Sequence, residues 1–506
     1  MSEITLLIDH NVTYIQGKLE KVIYKGLKRH LGYLPEDAFW MIKRNSEKNK
    51  QKWRQDWDGY ITTVCWNKAF CKCNIKKDGT HFPSGLISKA LEFFKQNNVN
   101  CKVVDVRKKV SKTNSLTLSD ELEYRDYQQE VIDKALNTDR GIIKAATGSG
   151  KTAMACGIIS GSGIFPTIFY VPSKDLLLQA KTEIERFVYR NGKSVEVGQI
   201  GAGKKEIKDI NVMTIQTAVR ALGGVWVKYD DEDLDEDDTD LGSSKKEIAE
   251  LIKEAKLIFM DECQHVSSET CQIISDNSLS AQYRYGMSAT PWRSKGDDIL
   301  IDACFGKPIA DISASYLIKR GYLVKPSICF ISIDNMRGTK WSSYLNVYKH
   351  CLVENTERND RIAKIVNILV EKDRNILILC RQIAHGKLLE KLIPNSTFVY
   401  GRHTAKKRKE HLDKMRSEEK KITISSVIFD QGIDCKPLDA LVLAGGGMSS
   451  TRALQRIGRI LRPYKNKEDA IVVDFMDRCK YLDVHSRKRR RMYETEPEFE
   501  IYDYKG

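Results

Sequence analysis

Residues 145–152, "AATGSGKT", are the first place in this sequence where residue type and spacing suit a chemical task. They match Gly-x-x-x-x-Gly-Lys-[Ser/Thr], except that Ala145 stands at the first glycine. Gly148 and Gly150 allow the backbone to curl until its N–H groups, with that of Ser149 between them, face a phosphate. A helix starting at Lys151 adds partial positive charge at the same point. Lys151 is placed to reach β- and γ-phosphates, and the Thr152 hydroxyl to meet Mg²⁺. ATP with Mg²⁺ is the expected pair for such a cradle.

Two further groups complete the chemistry. The run "KLIFMDECQHV" is an apolar strand ending in Asp261-Glu262. Asp261 suits the Mg²⁺ shell, beside Thr152. Glu262 suits the orientation and deprotonation of an attacking water. Near the other end, "TRALQRIGRILRP" puts Gln455, Arg459 and Arg462 at i, i+4 and i+7, one face of a helix. Arginines delivered to a γ-phosphate are worth about 10³ to 10⁵ in rate, roughly 4 to 7 kcal/mol of barrier. Lys151, Glu262, Gln455, Arg459 and Arg462 are therefore the expected catalytic set.

Rigid elements must hold these groups. Apolar, β-branched runs supply "GIIKA", "TIFYV", "INVMT", "KLIFM" and "YRYGM" in one block, then "SICFI", "NILIL", "KITIS", "DALVL" and "AIVVD" in a second. Near-continuous apolar runs alternating with helical stretches predict parallel sheets covered on both faces. The expected fold class is α/β. Two tandem parallel-sheet lobes, 121–312 and 313–506, follow a small basic α+β domain (1–110) and a polar linker (111–120).

Charge points to a partner. The 506 residues carry 83 Lys and Arg against 68 Asp and Glu, a formal +15. Residues 1–120 alone hold 22 basic against 12 acidic residues. Aromatic residues, among them Trp53 and Trp57, sit between the charges in "KNKQKWRQDWDGY". Basic groups suit phosphates and aromatic faces suit bases, so a nucleic-acid partner is expected. The acidic block 229–240 reads as a solvated insert or as a competitor with DNA for a basic groove. The run "RKRRR", 487–491, reads either as a phosphate contact or as a charged helix face. The thirteen cysteines form no C-x-x-C pair and read as free thiols. Cys65, Cys71, Cys73, His81 and Cys101 have the spacing of no common zinc site. The opening "MSEITLLIDHN" lacks a signal-peptide pattern, and no apolar run reaches the roughly 18 residues of a membrane span. A cytoplasmic monomer is expected, with no membrane partner.

In chain order the motifs resemble those of superfamily-2 helicases over 121–475. "YRDYQ" is similar to the adenine-reading motif, "ATGSGKT" to motif I, "VPSKDLLLQ" to motif Ia and "TIQTA" to motif Ic. "DECQH" is similar to motif II, "SATPWR" to III, "ILILCR" to IV, "SSVIFDQGIDCKPLDALVLAG" to V and "QRIGRILR" to VI. The likeness is nearest to phage UvsW-type branch-migration helicases, with XPB and RecG motors beside them. "WDGY" and "FPSGL" fit the leading domain of that group. The resemblance implies RecA-like lobes and adds residue roles. Arg125 and Gln128 would meet the adenine, and Gly432 and Asp434 would border the ribose and the DNA path. Ser173, Thr214, Gln216, Thr217, Arg381 and Ser426 would grip phosphates without reading sequence. Gln264 stands where these motors usually carry His, with His265 following.

The activity implied is ATP-dependent unwinding or branch migration of forked and Holliday-type DNA in recombination, repair or replication. An RNA helicase, and an ATP-gated clamp or restriction-type motor without strand separation, are the alternatives.

Overall fold

The computed structural model describes residues 3–35, 38, 42, 60–64, 79–224, 242–263, 268–289, 298–334, 341–401, 403–419, 421–426, 435–447 and 450–504. Trp53, Trp57, Cys65, Cys71, Cys73, the acidic block, Gln264, His265, most of "SATPWR", Gly432 and Asp434 lie outside them. The chain divides into two compact units: residues 1–145, 150–231 and 235–311, and residues 146–149, 232–234 and 312–506.

The first unit begins with a four-stranded sheet ordered β3-β2-β1-β4. Its strands are β1 (Glu3–Ile8), β2 (Val12–Gln16), β3 (His81–Pro83) and β4 (Asn100–Asp105). β1 runs antiparallel to β2 and parallel to β4. Helices α1 (Lys21–His30) and α2 (Ile87–Gln96) add Leu27, Ala90, Phe93 and Phe94 to its core. α2 stops at Asn97, whose side-chain amide donates to the Phe93 carbonyl at 2.8 Å.

The same core contains Ile299, Leu300 and Ala303, so the leading sheet shares its hydrophobic core with the rest of the unit. Polar contacts reinforce the packing. Lys89 pairs with Asp302 at 2.8 Å, and Arg140 donates to the His10 carbonyl at 2.8 Å. Arg284, fully buried, donates to Asn11 and to the carbonyls of Ser275, Ser278 and Ala281. A buried guanidinium is tolerated only when its donors are used in this way. The polar segment read as a linker is also held down. Thr117 and Leu118 pair with Tyr189 and Val188, and the Thr113 hydroxyl donates to the Gly163 carbonyl at 2.7 Å.

The remaining residues of the unit build an eight-stranded sheet ordered β8-β7-β9-β6-β10-β11-β5-β12. The elements are α3 (Asp126–Leu136), β5 (Arg140–Ala145), α4 (Lys151–Ser162), β6 (Thr167–Val171), α5 (Lys174–Phe187), β7 (Val197–Gly201) and β8 (Lys204–Lys205). They continue through β9 (Ile210–Thr214), α6 (Ile215–Ala221), β10 (Leu257–Asp261), β11 (Tyr283–Ser288), α7 (Ile299–Phe305) and β12 (Pro308–Ile312). From β7 through β5 every neighbour is parallel. β6, β7 and β9 are buried along their whole length, the signature of a sheet covered on both faces.

The second unit carries a seven-stranded sheet, all of whose neighbouring strands are parallel, ordered β15-β16-β14-β17-β18-β13-β19. Its elements are β13 (Lys325–Ile333), α8 (Tyr344–Tyr348), α9 (Thr356–Glu371), β14 (Ile376–Leu379), β15 (Thr397–Val399), β16 (Ile422–Ser425) and β17 (Ala440–Val442). α10 (Ser450–Ile460), β18 (Asp469–Asp477), α11 (Leu482–Tyr493) and β19 (Glu500–Asp503) follow, with further helices at Ala314–Lys319, Ile383–Leu392 and Ala405–Arg416. Two buried ion pairs tie helices to β18: Arg358 to Asp477 at 2.8 Å, and Arg489 to Asp474 at 2.7 Å. Tyr493 also donates to Asp474, at 2.9 Å.

Arg489 belongs to the basic run of α11, and its burial shows where that run points. Arg490 pairs with Asp503 at 2.6 Å and Arg487 with Asp483 at 2.9 Å. Three of the five basic groups are therefore engaged within the unit itself. Among the described residues no helix is long and apolar enough to cross a membrane.

Candidate nucleotide site

The phosphate loop leaves the carboxyl end of β5 and enters α4, as the sequence pattern requires. Gly148 sits at φ +88° and Gly150 at φ +79°, backbone that residues with a Cβ rarely adopt. Gly150 has a second constraint: a Cβ there would stand 2.5 Å from Gln128 Nε2. Lys151 and Thr152 open α4, so the first N–H groups of the helix and the lysine share one end.

The acids arrive from the adjacent part of the sheet. Asp261 is the last residue of β10, and Glu262 follows in the left-handed region at φ +49°. Such a conformation costs a non-glycine residue of order 1–2 kcal/mol and turns the Glu262 side chain away from the strand direction. The Glu262 N–H donates to Asp261 Oδ1 at 3.0 Å. Lys151 Nζ reaches Glu262 Oε1 at 3.2 Å, with both side chains largely shielded from solvent. Burial raises the Asp261 pKa well above the carboxylate range, and the neighbouring Glu262 raises it further, while Lys151 opposes both. A carboxyl group held in that way gains from a nearby cation. Thr152 and Asp261 supply hard oxygen donors, the type that Mg²⁺ takes alongside phosphate oxygens and water.

The segment "YRDYQ" packs against the head of α4. Gln128, buried, accepts from the Arg125 N–H at 2.9 Å and caps α3. Arg125 donates to the Tyr127 hydroxyl at 3.2 Å. Tyr124, which the sequence reading passed over, donates to the Ala153 carbonyl at 3.0 Å and braces the first turn of α4.

Residues 146–149 of the loop partition with the second unit. There a Cβ on Gly458 would fall 2.7 Å from the Thr147 Cβ, and one on Gly148 would meet Arg462 Cγ at 3.9 Å. Gly458 was likewise not singled out from the sequence; a glycine inside an arginine-bearing helix is the signal that would have found it. Gln455 is buried, and Arg459 is half-buried on α10. One expectation is corrected here. α10 ends at Ile460, so Arg462 lies beyond it and does not share its face. Pro463 disfavours helical backbone at the residue before it, which ends the helix.

The residues expected to hold phosphates follow the carboxyl ends of their strands. Ser173 caps α5 after β6, and Thr214 caps α6 after β9. Thr214 also donates to the Thr217 hydroxyl at 2.8 Å, and Thr214, Gln216 and Thr217 are all buried. Arg381 follows β14, and Ser426, also buried, follows β16. Gly432 and Asp434 are outside the described residues. Within them no group of three or more His, Cys, Asp or Glu is arranged to hold a metal.

A glycine-bordered phosphate loop, an acid pair at the end of the strand one removed from it and a second parallel-sheet unit define a P-loop nucleoside-triphosphatase with two α/β lobes. Residues 121–293 match the family described as "Type III restriction enzyme, res subunit", and residues 358–464 match "Helicase conserved C-terminal domain". The chain belongs to the superfamily-2 helicases: it is an ATP-dependent helicase with two RecA-like lobes. It is 26% identical to the DNA 3'-5' translocase XPB2 of Sulfurisphaera tokodaii over 419 residues, 74% of this chain and 86% of that protein. It is 25% identical to the ATP-dependent DNA helicase uvsW of Enterobacteria phage T4 over 246 residues, 46% of this chain and 48% of that protein. The structure of S. cerevisiae Dbp5 bound to RNA and ADP BeF3 shares the fold at TM-score 0.52 and 14% identity, over 75% of this chain and 89% of that one.

Proposed function

We propose that the chain is a DNA helicase and translocase that unwinds or branch-migrates forked and four-way DNA, coupled to ATP hydrolysis. The observation that carries the hydrolytic half is the Lys151–Glu262 contact of 3.2 Å beside Asp261. Lys151 and the N–H groups of residues 148–150 bind and orient the β- and γ-phosphates. Glu262, fixed by its strained backbone, accepts the proton of the attacking water. Thr152 and Asp261 are the residues that would hold Mg²⁺, which when bound neutralises charge on the phosphates. Gln128 and Arg125 border the base. Arg459 and Arg462 answer charge that grows on the γ-phosphoryl oxygens in the transition state.

Support for DNA as the track comes from the formal charge of +15 and from relatives named as DNA translocase and DNA helicase. The first of these, named as a 3'-5' translocase, makes 3'-to-5' travel the expected direction. The α1 surface supports a duplex-holding role for the leading domain. Lys18 just before α1 and Lys21 and Lys25 on it are exposed, Lys28 lies 5.7 Å over the Tyr24 ring, and Arg29 lies 5.9 Å from the Tyr60 ring.

The test is ATP turnover, and strand displacement, with single-stranded, forked and four-way DNA and with matched RNA. Stimulation by DNA that weakens steeply with salt is expected. Equal or greater stimulation by RNA would replace DNA with RNA in this reading. ATP turnover with no strand displacement on any substrate would leave a clamp.

A further inference from the structure

The second sheet carries, at its carboxyl edge, a feature that the nucleotide chemistry does not use. Three segments leaving that edge interlock through ring contacts and a hydrogen bond. After β13 come Trp341 and Tyr344; after β14 comes Arg381; after β18 come Tyr481 and His485. Trp341 lies flat on His350, with ring centroids 4.1 Å apart and planes 18° apart, yet keeps 40% of its surface exposed. Tyr344 is the hub. It meets Tyr481 edge-on at 6.1 Å and His485 at 5.5 Å, and Arg381 donates to its hydroxyl at 3.4 Å. Tyr481 is 36% exposed, and its hydroxyl donates to the Ser342 carbonyl at 2.9 Å, which fixes one segment to another.

Scattered exposed aromatics are ordinary on a protein surface; a braced group with two open rings is less so. Its place in the fold adds to this, because ligands of open parallel sheets bind outside the carboxyl ends of the strands. Charge narrows the occupant. Lys480 lies 5.1 Å over the Tyr481 ring, and Arg381 lies 5.8 Å from the Tyr348 ring. Aromatic faces beside fixed cations suit unpaired bases, whose π-faces stack while their phosphates meet the cations.

We propose that this ledge, with Trp341 and Tyr481 as its open faces, is a base-stacking platform for single-stranded DNA. The inference rests on the reading of the chain as a DNA motor and adds to it a contact with bases where that reading invoked only phosphates. Stacking tolerates any base, so the ledge would hold an unpaired strand without selecting sequence.

The test uses the full chain and single-stranded oligodeoxynucleotides that carry one 2-aminopurine, moved stepwise along the strand. The expected result is quenching at one or two adjacent positions. The quenching is lost in Trp341→Ala, kept in Trp341→Phe, and accompanied in Trp341→Ala and Tyr481→Ala by roughly 5- to 100-fold weaker binding. Thermal melting of each variant checks that it folds. If the oligonucleotides bind but quenching and affinity match wild type in both alanine variants, the ledge is no base platform and the motor reading stands. If the wild-type chain binds none of these strands and no DNA stimulates its ATPase, the motor reading falls and the ledge with it.

Discussion

Replacing Glu262 by Gln separates chemistry from binding at the nucleotide site. The side chains have almost the same shape, and the backbone at φ +49° is no easier for Gln than for Glu, so strain cancels in the comparison. What changes is one charge. With it goes the proton acceptor for the attacking water, a role worth about 10² to 10⁴ in rate, or roughly 3 to 5 kcal/mol of barrier. The ion pair that is lost spans 3.2 Å between side chains only 13% and 19% exposed, so folding stability should fall by about 1.5–3 kcal/mol, as for a shielded hydrogen bond to a charged group. Nucleotide affinity moves the other way. Glu262 competes with phosphate for Lys151 and repels its charge; Gln does neither. Turnover is therefore expected to fall by about 10² to 10⁴, while nucleotide binds as well as to wild type or better. Lys151→Ala should lose both, because it removes the cation that phosphate meets. Steady-state ATP hydrolysis, titration with a fluorescent ATP analogue and a thermal melt give the three quantities. A Glu262→Gln protein that hydrolyses ATP within about fivefold of wild type would refute the assignment of Glu262 as the base. One that loses nucleotide binding as completely as Lys151→Ala would show that Glu262 shapes the cradle instead.

Gly150→Ala combines φ +79° with a Cβ placed 2.5 Å from Gln128 Nε2, so it should lower stability by about 1–3 kcal/mol and weaken nucleotide binding; melts with and without nucleotide measure both. Asp477→Asn strips the buried Arg358 of its charge partner and should destabilise the second unit by about 3–5 kcal/mol in denaturant unfolding, whereas surface Asp413→Asn should cost almost nothing. Burial first, and Arg358 second, push the His385 pKa down to about 3, so the folded chain keeps His385 neutral while the unfolded chain protonates it near 6.5. Its contribution is complete above pH 6.5 and is lost as pH falls toward 3, at up to about 1.4 kcal/mol per pH unit; His385→Gln should flatten that slope in urea titrations run between pH 7 and 4.5.

The ten apolar runs read from the sequence are all strands of the two sheets, because a strand buried on both faces must be apolar along its length. The strands that escaped notice sit at or next to sheet edges. β7 reads "VGQIG", diluted by two glycines and a glutamine; β15 has three residues; β19 reads "EIYD". Edge strands need only half an apolar pattern, which leaves little to detect. The phosphate loop and the acid pair were legible because they are local in sequence. Tyr124 against Ala153, and Gly458 against Thr147, join residues far apart in sequence and could be found only in three dimensions. The basic run of α11 left two readings open for a related reason. Composition cannot tell that Leu482, Ser486, Arg489 and Tyr493 form its buried face, with the Arg489 charge given to Asp474.

One geometric fact explains why the chemistry concentrates where it does. In a parallel sheet every strand ends on the same edge, and each end is followed by a turn into a helix whose N–H groups point back at that edge. In the first sheet the phosphate loop, Ser173, Thr214 and Glu262 all follow strand ends: those of β5, β6, β9 and β10. In the second, Arg381, Ser426 and the aromatic ledge follow β13, β14, β16 and β18. Such an edge already favours anions before any side chain is chosen. On the proposed reading, lysine, arginine and an aromatic face then serve one polyanionic class of ligand, with the triphosphate at the edge of the first sheet. On this view the positive excess of the leading domain extends a field that the two sheets already create, and its removal should weaken DNA binding more than ATP turnover without DNA.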